Sequence, residues 1–126
     1  MEIKRDIYLK QLINARRNGF IKVVTGPRRC GKSFLLTTLF HNHLLSEGIA
    51  EDHIIEVALE DRMCRKLRDP DAMLEYVHSR ITDNELYFVI LDDVQKMDEF
   101  VDVLNSLMHI KNADVYVTGS NSHFLS

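Results

Sequence analysis

Cysteine, proline and glycine are all scarce in this chain of 126 residues, which holds two, two and five of them. Cys30 and Cys64 are too few, and too far apart in sequence, for the disulfide framework of a small secreted domain or for a zinc site, so a reduced cytoplasmic protein is expected. The shortage of glycine and proline excludes collagen-like and linker-rich chains. Six histidines are present, but they never fall into a zinc-ligand spacing, and His41 and His43 lie on different faces of a helix. No apolar run approaches the ~20 residues of a membrane-spanning helix, and Met1 to Lys10 is charged before any apolar stretch can form, so neither export nor insertion is signalled. Charge of one sign is also lacking: 16 basic residues against 19 acidic ones give a formal charge of -3. That balance removes the bulk electrostatic argument for nucleic-acid binding, although nine of the sixteen basic residues fall between Lys4 and Lys32.

Hydrophobic residues make up 45% of the chain, enough for one folded domain, and their spacing sets out the elements. Residues 5–17 have helical spacing, Asn18-Gly19 is a stop, and Phe20 to Thr25 reads as a strand ending at Gly26. Lys32 to Leu45 carries a broad apolar surface and stops at Gly48. His53 to Leu59 is a short β-branched run, followed by the charged stretch Glu60 to Asp69. Asp69-Pro70 has the form of an N-cap with proline at the first helical position, opening a helix that ends between Thr82 and Glu85. Leu86 to Leu91 is six apolar residues in succession, the pattern of a central strand covered on both faces. Met97 to Ile110 is again helical and Val115 to Thr118 is a fourth strand. Helix and strand alternate throughout, which predicts an α/β fold: a parallel sheet in three α-β-α layers, its functional loops at the carboxyl ends of the strands.

At the end of the first strand stands Gly26-Pro27-Arg28-Arg29-Cys30-Gly31-Lys32-Ser33, which has the spacing Gly, four residues, Gly-Lys-Ser. Glycines at 26 and 31 let successive N–H groups face a phosphate, and the following helix adds its unpaired N-terminal donors. Lys32 is placed to reach the β- and γ-phosphates, and the Ser33 hydroxyl to ligand Mg²⁺. Gly26, Pro27, Arg28, Arg29, Cys30, Gly31, Lys32, Ser33 and Phe34 are therefore the candidate nucleotide-binding residues. Arg28 and Arg29 contact phosphate, face a neighbouring subunit or are surface charge. Cys30, near a helix N-terminus, has the setting of a reactive thiol whose oxidation would block nucleotide binding. The third strand ends in Asp92-Asp93. Asp92 is the candidate for the Mg²⁺ shell and Asp93 for orienting or deprotonating an attacking water. Ser120 and Asn121, after the fourth strand, are candidates for sensing the γ-phosphate, with Thr118 also in reach, and Gln95 lies on the same edge.

These residues resemble the prokaryotic ATPases of the AAA+ superfamily, specifically the phosphate-loop family whose longer members carry a separate C-terminal domain. The resemblance rests on residues 26 to 33, Leu-Glu-Asp-Arg at 59 to 62, Leu-Asp-Asp-Val-Gln at 91 to 95 and Thr-Gly-Ser-Asn-Ser at 118 to 122. It implies an AAA+ type phosphate-loop fold, ATP binding and Mg²⁺-dependent hydrolysis, with Lys32, Ser33, Asp92, Asp93 and a sensor at Ser120 or Asn121. The family commonly has glutamate where this chain has Asp93. One methylene fewer draws the carboxylate back by roughly 1.5 Å, a misplacement that costs about 10²-fold where base geometry is strict, so a module that binds ATP and scarcely turns it over is the alternative. No Asn-Lys-x-Asp guanine-reading motif occurs, and adenine follows from the resemblance. The family's sheet order is 5-1-4-3-2, so residues 1–126 are expected to be the N-terminal part of the domain, ending before strand five and the helical lid. The first strand would then offer an open edge for self-association. Neither a nucleic-acid nor a protein substrate can be chosen from the sequence.

Overall fold

The computed structural model describes residues 5–16, 19–25 and 31–119. Four parallel strands, β1 (Lys22–Thr25), β2 (Ile54–Ala58), β3 (Tyr87–Asp92) and β4 (Ala113–Gly119), form one sheet in the order β1-β4-β3-β2. The helices are α1 (Arg5–Asn14), α2 (Lys32–Phe34), α3 (His41–Ser46), α4 (Pro70–Arg80) and α5 (Phe100–Met108). The parallel α/β architecture and the 1-4-3-2 order are those anticipated.

Period-two alternation along the strands sorts side chains between two cores. Tyr87, Val89 and Leu91 of β3 join Val115 and Val117 of β4 on one face, packed on Met73 and Val77 of α4 and Val103 and Leu107 of α5. Phe88 and Ile90 join Tyr116 on the opposite face, packed on Leu12 of α1 and on Leu36, Phe40 and Leu44 of the helical stretch after β1. Every residue of β3 is buried. Fully burying a large apolar side chain contributes about 1.5–3 kcal/mol, so this strand anchors both layers.

Three local features depart from, or add to, the sequence expectation. The helix expected over 32–45 is interrupted by a π-helical segment, Leu35–Phe40, between α2 and α3. There the Thr37 hydroxyl donates to the Ser33 carbonyl at 2.7 Å, a side-chain bond of the kind that competes with the helical backbone ladder. The charged stretch after β2, to which the sequence assigns no element, contains a 3-10 helix, Arg62–Arg68. Its three-residue repeat turns Cys64 and Leu67 together onto the core, while Asp61 caps it by accepting from the Met63 N–H at 2.9 Å. Finally, α4 stops at Arg80 and α5 starts only at Phe100, with a 3-10 turn, Val94–Lys96, between β3 and α5.

Two helix-boundary signals, a start and a stop, act as read. Asp69 accepts from the Ala72 N–H at 3.0 Å with Pro70 in the first turn of α4. Gly48, at φ 92, ends α3, and the Ile49 N–H reaches back to the Leu44 carbonyl at 3.1 Å.

Candidate functional site

The carboxyl ends of β1, β3 and β4 lie side by side because β4 is paired to both of the others, with Thr25 opposite Gly119 and Leu91 opposite Val117. The alternation that buries Phe88 and Ile90 on the α2 side places Asp92 on that side too. In β4 it does the same for Tyr116 and Thr118. Ser33, in the first turn after the glycine-rich segment, approaches from above this face. Its hydroxyl donates to Asp92 Oδ1 at 2.9 Å, and the Thr118 hydroxyl donates to the same oxygen at 2.5 Å. Thr118 in turn accepts from the Asp93 N–H at 2.8 Å.

Burial makes this cluster costly unless its polar groups are partnered. Asp92 is 8% exposed, Asp93 7%, Lys32 4% and Thr118 0%. The Asp93 backbone sits in the left-handed region at φ 57, as does Gly31 at φ 90 immediately before Lys32. Asp is among the few side chains that tolerate this conformation, and glycine does so without strain. Phe34 is partly exposed on the short α2. Gln95, half-buried in the 3-10 turn, keeps its Oε1 away from solvent with no hydrogen-bond partner among the described residues.

Of the residues singled out in the sequence, Gly31, Lys32, Ser33, Phe34, Asp92, Asp93, Gln95 and Thr118 are described here, and Ser33, Asp92, Asp93 and Thr118 form one hydrogen-bonded group. Gly26, Pro27, Arg28, Arg29, Cys30, Ser120 and Asn121 lie outside the described residues. The donor set suits a hard cation: a serine hydroxyl whose hydrogen is committed to Asp92 keeps its lone pairs, and magnesium takes one or two protein oxygens together with substrate phosphates. No group of three or more His, Cys, Asp or Glu residues arranged for a metal occurs among the described residues.

One polar group was not visible in the sequence. Lys22 of β1 and Asp114 of β4, 7% and 4% exposed, form a buried ion pair, and the Tyr116 hydroxyl donates to Asp114 Oδ2 at 2.7 Å. The Lys22 ammonium also lies 4.7 Å from the centre of the Tyr116 ring. Burial, followed by the bond to Asp114, pushes the Tyr116 phenol well above its ordinary 10, so it remains a donor. Its signal would have been a lysine and an aspartate at alternating core positions of neighbouring strands, but β4 starts at Ala113 rather than at the expected Val115.

The architecture agrees with what comparison with known proteins shows. The chain is 32% identical over 126 residues to an uncharacterized protein of Haemophilus influenzae, covering 98% of this chain and 31% of that protein. It is 28% identical over 128 residues to an uncharacterized protein of Methanocaldococcus jannaschii, covering 98% of this chain and 25% of that one. It thus spans about a third or less of the length of these relatives. No solved structure matches it. A family model described as an AAA domain matches residues 18–126, and the chain belongs to that family, within the AAA+ superfamily of phosphate-loop ATPases.

Proposed function

We propose that this domain binds ATP with magnesium at the carboxyl ends of β1, β3 and β4 and hydrolyses it. The observation that carries the reading is the Ser33 to Asp92 hydrogen bond of 2.9 Å, which joins the first turn after the glycine-rich segment to the end of the central strand. Ser33 and Asp92 would hold the magnesium, Lys32 the β- and γ-phosphates, and residues 26 to 31 the phosphate chain through their amides. When bound, magnesium neutralises charge on the phosphate oxygens. Asp93 would orient or accept a proton from the attacking water, and Ser120 or Asn121 would contact the γ-phosphate. Adenine, rather than guanine, is supported by membership of the AAA family.

A second reading, a nucleotide-dependent switch that binds without appreciable turnover, is favoured by the short side chain of Asp93. Calorimetric titration of Mg-ATP beside a phosphate-release assay separates the two. Binding lost in Lys32→Ala is the expected result under both, and Mg-ATP affinity unchanged by that substitution sinks both. Turnover by the native domain selects the first. The proposal extends to a cytoplasmic setting and to self-association through the open edge of β1. Among the described residues, no helix is long and apolar enough to cross a membrane.

A further inference from the structure

We infer that Thr118 is a positioning residue of the magnesium site rather than a sensor of the nucleotide. This rests on the nucleotide-and-magnesium reading above. A threonine hydroxyl has one hydrogen and two lone pairs. Here the hydrogen goes to Asp92 Oδ1 at 2.5 Å and a lone pair takes the Asp93 N–H at 2.8 Å, with the residue 0% exposed. A hydroxyl whose hydrogen is committed to a carboxylate, and which is shut off from solvent, has no hydrogen left to offer a phosphate oxygen. It can, however, restrict the rotation of the Asp92 carboxylate by bonding the same oxygen as Ser33.

The geometry makes Thr118 a link between the two acids. A hydroxyl bond to a carboxylate is charge-assisted and stronger than a neutral one. Through it the Oδ1 of Asp92 is held by two hydroxyls from different elements, Ser33 ahead of the π-helical segment and Thr118 on β4. The same oxygen atom of Thr118 holds the peptide that carries Asp93 in its left-handed conformation. Thr118 therefore sets the orientation of the metal-side carboxylate and the direction in which the chain leaves β3 with the second acid. β-branching suits the role, since a threonine in a strand has few χ1 choices, whereas serine at this place would reach the same partners from a less restricted rotamer.

The test compares ATP affinity with magnesium and with EDTA in the native domain, Thr118→Val and Thr118→Ser. Outer partners of metal ligands typically influence metal affinity by about 10–100-fold. Thr118→Val is expected to lose about 10-fold or more of the magnesium-dependent gain in affinity while its affinity in EDTA stays within about 2-fold of native. Thr118→Ser is expected to recover most of that gain. A role confined to stability would lower the melting temperature and leave the ratio of the two affinities unchanged, and that result overturns the inference. If Thr118→Val fails to fold, Thr118→Ala, which leaves space for a water, is read by the same ratio. A native domain whose ATP affinity does not respond to magnesium overturns the underlying reading and this inference together. A native response retained in full by Thr118→Val or Thr118→Ala overturns this inference alone.

Discussion

Single residues decide most of what this site can do, and Asp93 shows how backbone and chemistry are tied together. At φ 57 it occupies a conformation that costs most side chains roughly 1–2 kcal/mol and that Asp and Asn tolerate better. Asp93→Asn is accordingly expected to fold like the native protein and to keep Mg-ATP affinity within about 3-fold, while phosphate release falls by about 10²-fold or more if the carboxylate acts on water. A variant releasing phosphate at the native rate would remove Asp93 from the chemistry. The buried pair beneath the site yields a second expectation. Asp114→Asn leaves Lys22 charged in a place that is 7% exposed, and breaking a buried pair from one side costs about 3–5 kcal/mol. Urea unfolding should show that loss, and Lys22→Met added to it should return part of the stability. At this scale the sequence was informative where a motif fixes spacing: Lys32, Ser33 and Asp92 could be singled out from their neighbours in the chain. It was silent on Thr118 and Asp114 as partners, because their roles depend on strand register, which brings together residues 26 positions apart for Thr118 and Asp92, and 92 apart for Asp114 and Lys22.

Elements were legible where their hydrophobic period is unbroken and blurred where side chains compete with the backbone. The continuous apolar run at Leu86 to Leu91 identified the central strand, and Asp69-Pro70 located the start of α4. The π-helical turns at Leu35–Phe40 and the 3-10 helix at Arg62–Arg68 were not legible, since the first continues a helical pattern with a different turn length and the second, with a shorter turn, brings Cys64 and Leu67 onto the core. The short turn Glu51–His53 before β2 shows an element held largely by titratable groups. Burial disfavours charged His41, but its bonds to Glu56 at 2.7 Å and Glu51 at 2.6 Å outweigh this and raise it above its ordinary 6.5. His53 is raised by Asp52, at 2.7 Å, against slight desolvation, with Asp83 adding to the rise from 3.2 Å. Histidines raised in the folded state stabilise it fully below pH 6.5, and the contribution disappears as pH rises through their folded values. Asp83 is lowered, first by the Glu85 N–H and, despite slight desolvation, also by His53, so its contribution is present above 3.8 and lost as pH falls through its folded value. Chemical denaturation is thus expected to show stability declining from pH 6 towards 8, and the double variant His41→Gln with His53→Gln should flatten that slope. An unchanged slope would show that these bridges are screened by solvent.

The molecule as a whole is an unequal sheet: β3 and β4 are covered on both faces and paired on both sides, while β1 is paired only with β4 among the described residues. Beside β1 runs a groove of about 400 Å³ lined by Leu12, Ala15, Val23, Val24 and Leu35 together with polar Gln11, Lys22 and Thr25. Val23 is 44% exposed there. An unpaired strand with apolar side chains and open N–H and C=O groups is a template for another strand, and a lysine on such an edge is a common means of blocking it. The domain is therefore expected to self-associate in sedimentation velocity as its concentration is raised through the micromolar range, and Val23→Lys to shift it towards monomer with its melting temperature nearly unchanged. Because Val23 faces away from the Asp92 side of the sheet, Mg-ATP affinity should be the same in both proteins, which separates edge pairing from nucleotide-driven assembly. A native domain that stays monomeric across that range would mean that β1 is already protected, and the proposed role of this edge in self-association would fall while the nucleotide reading stood.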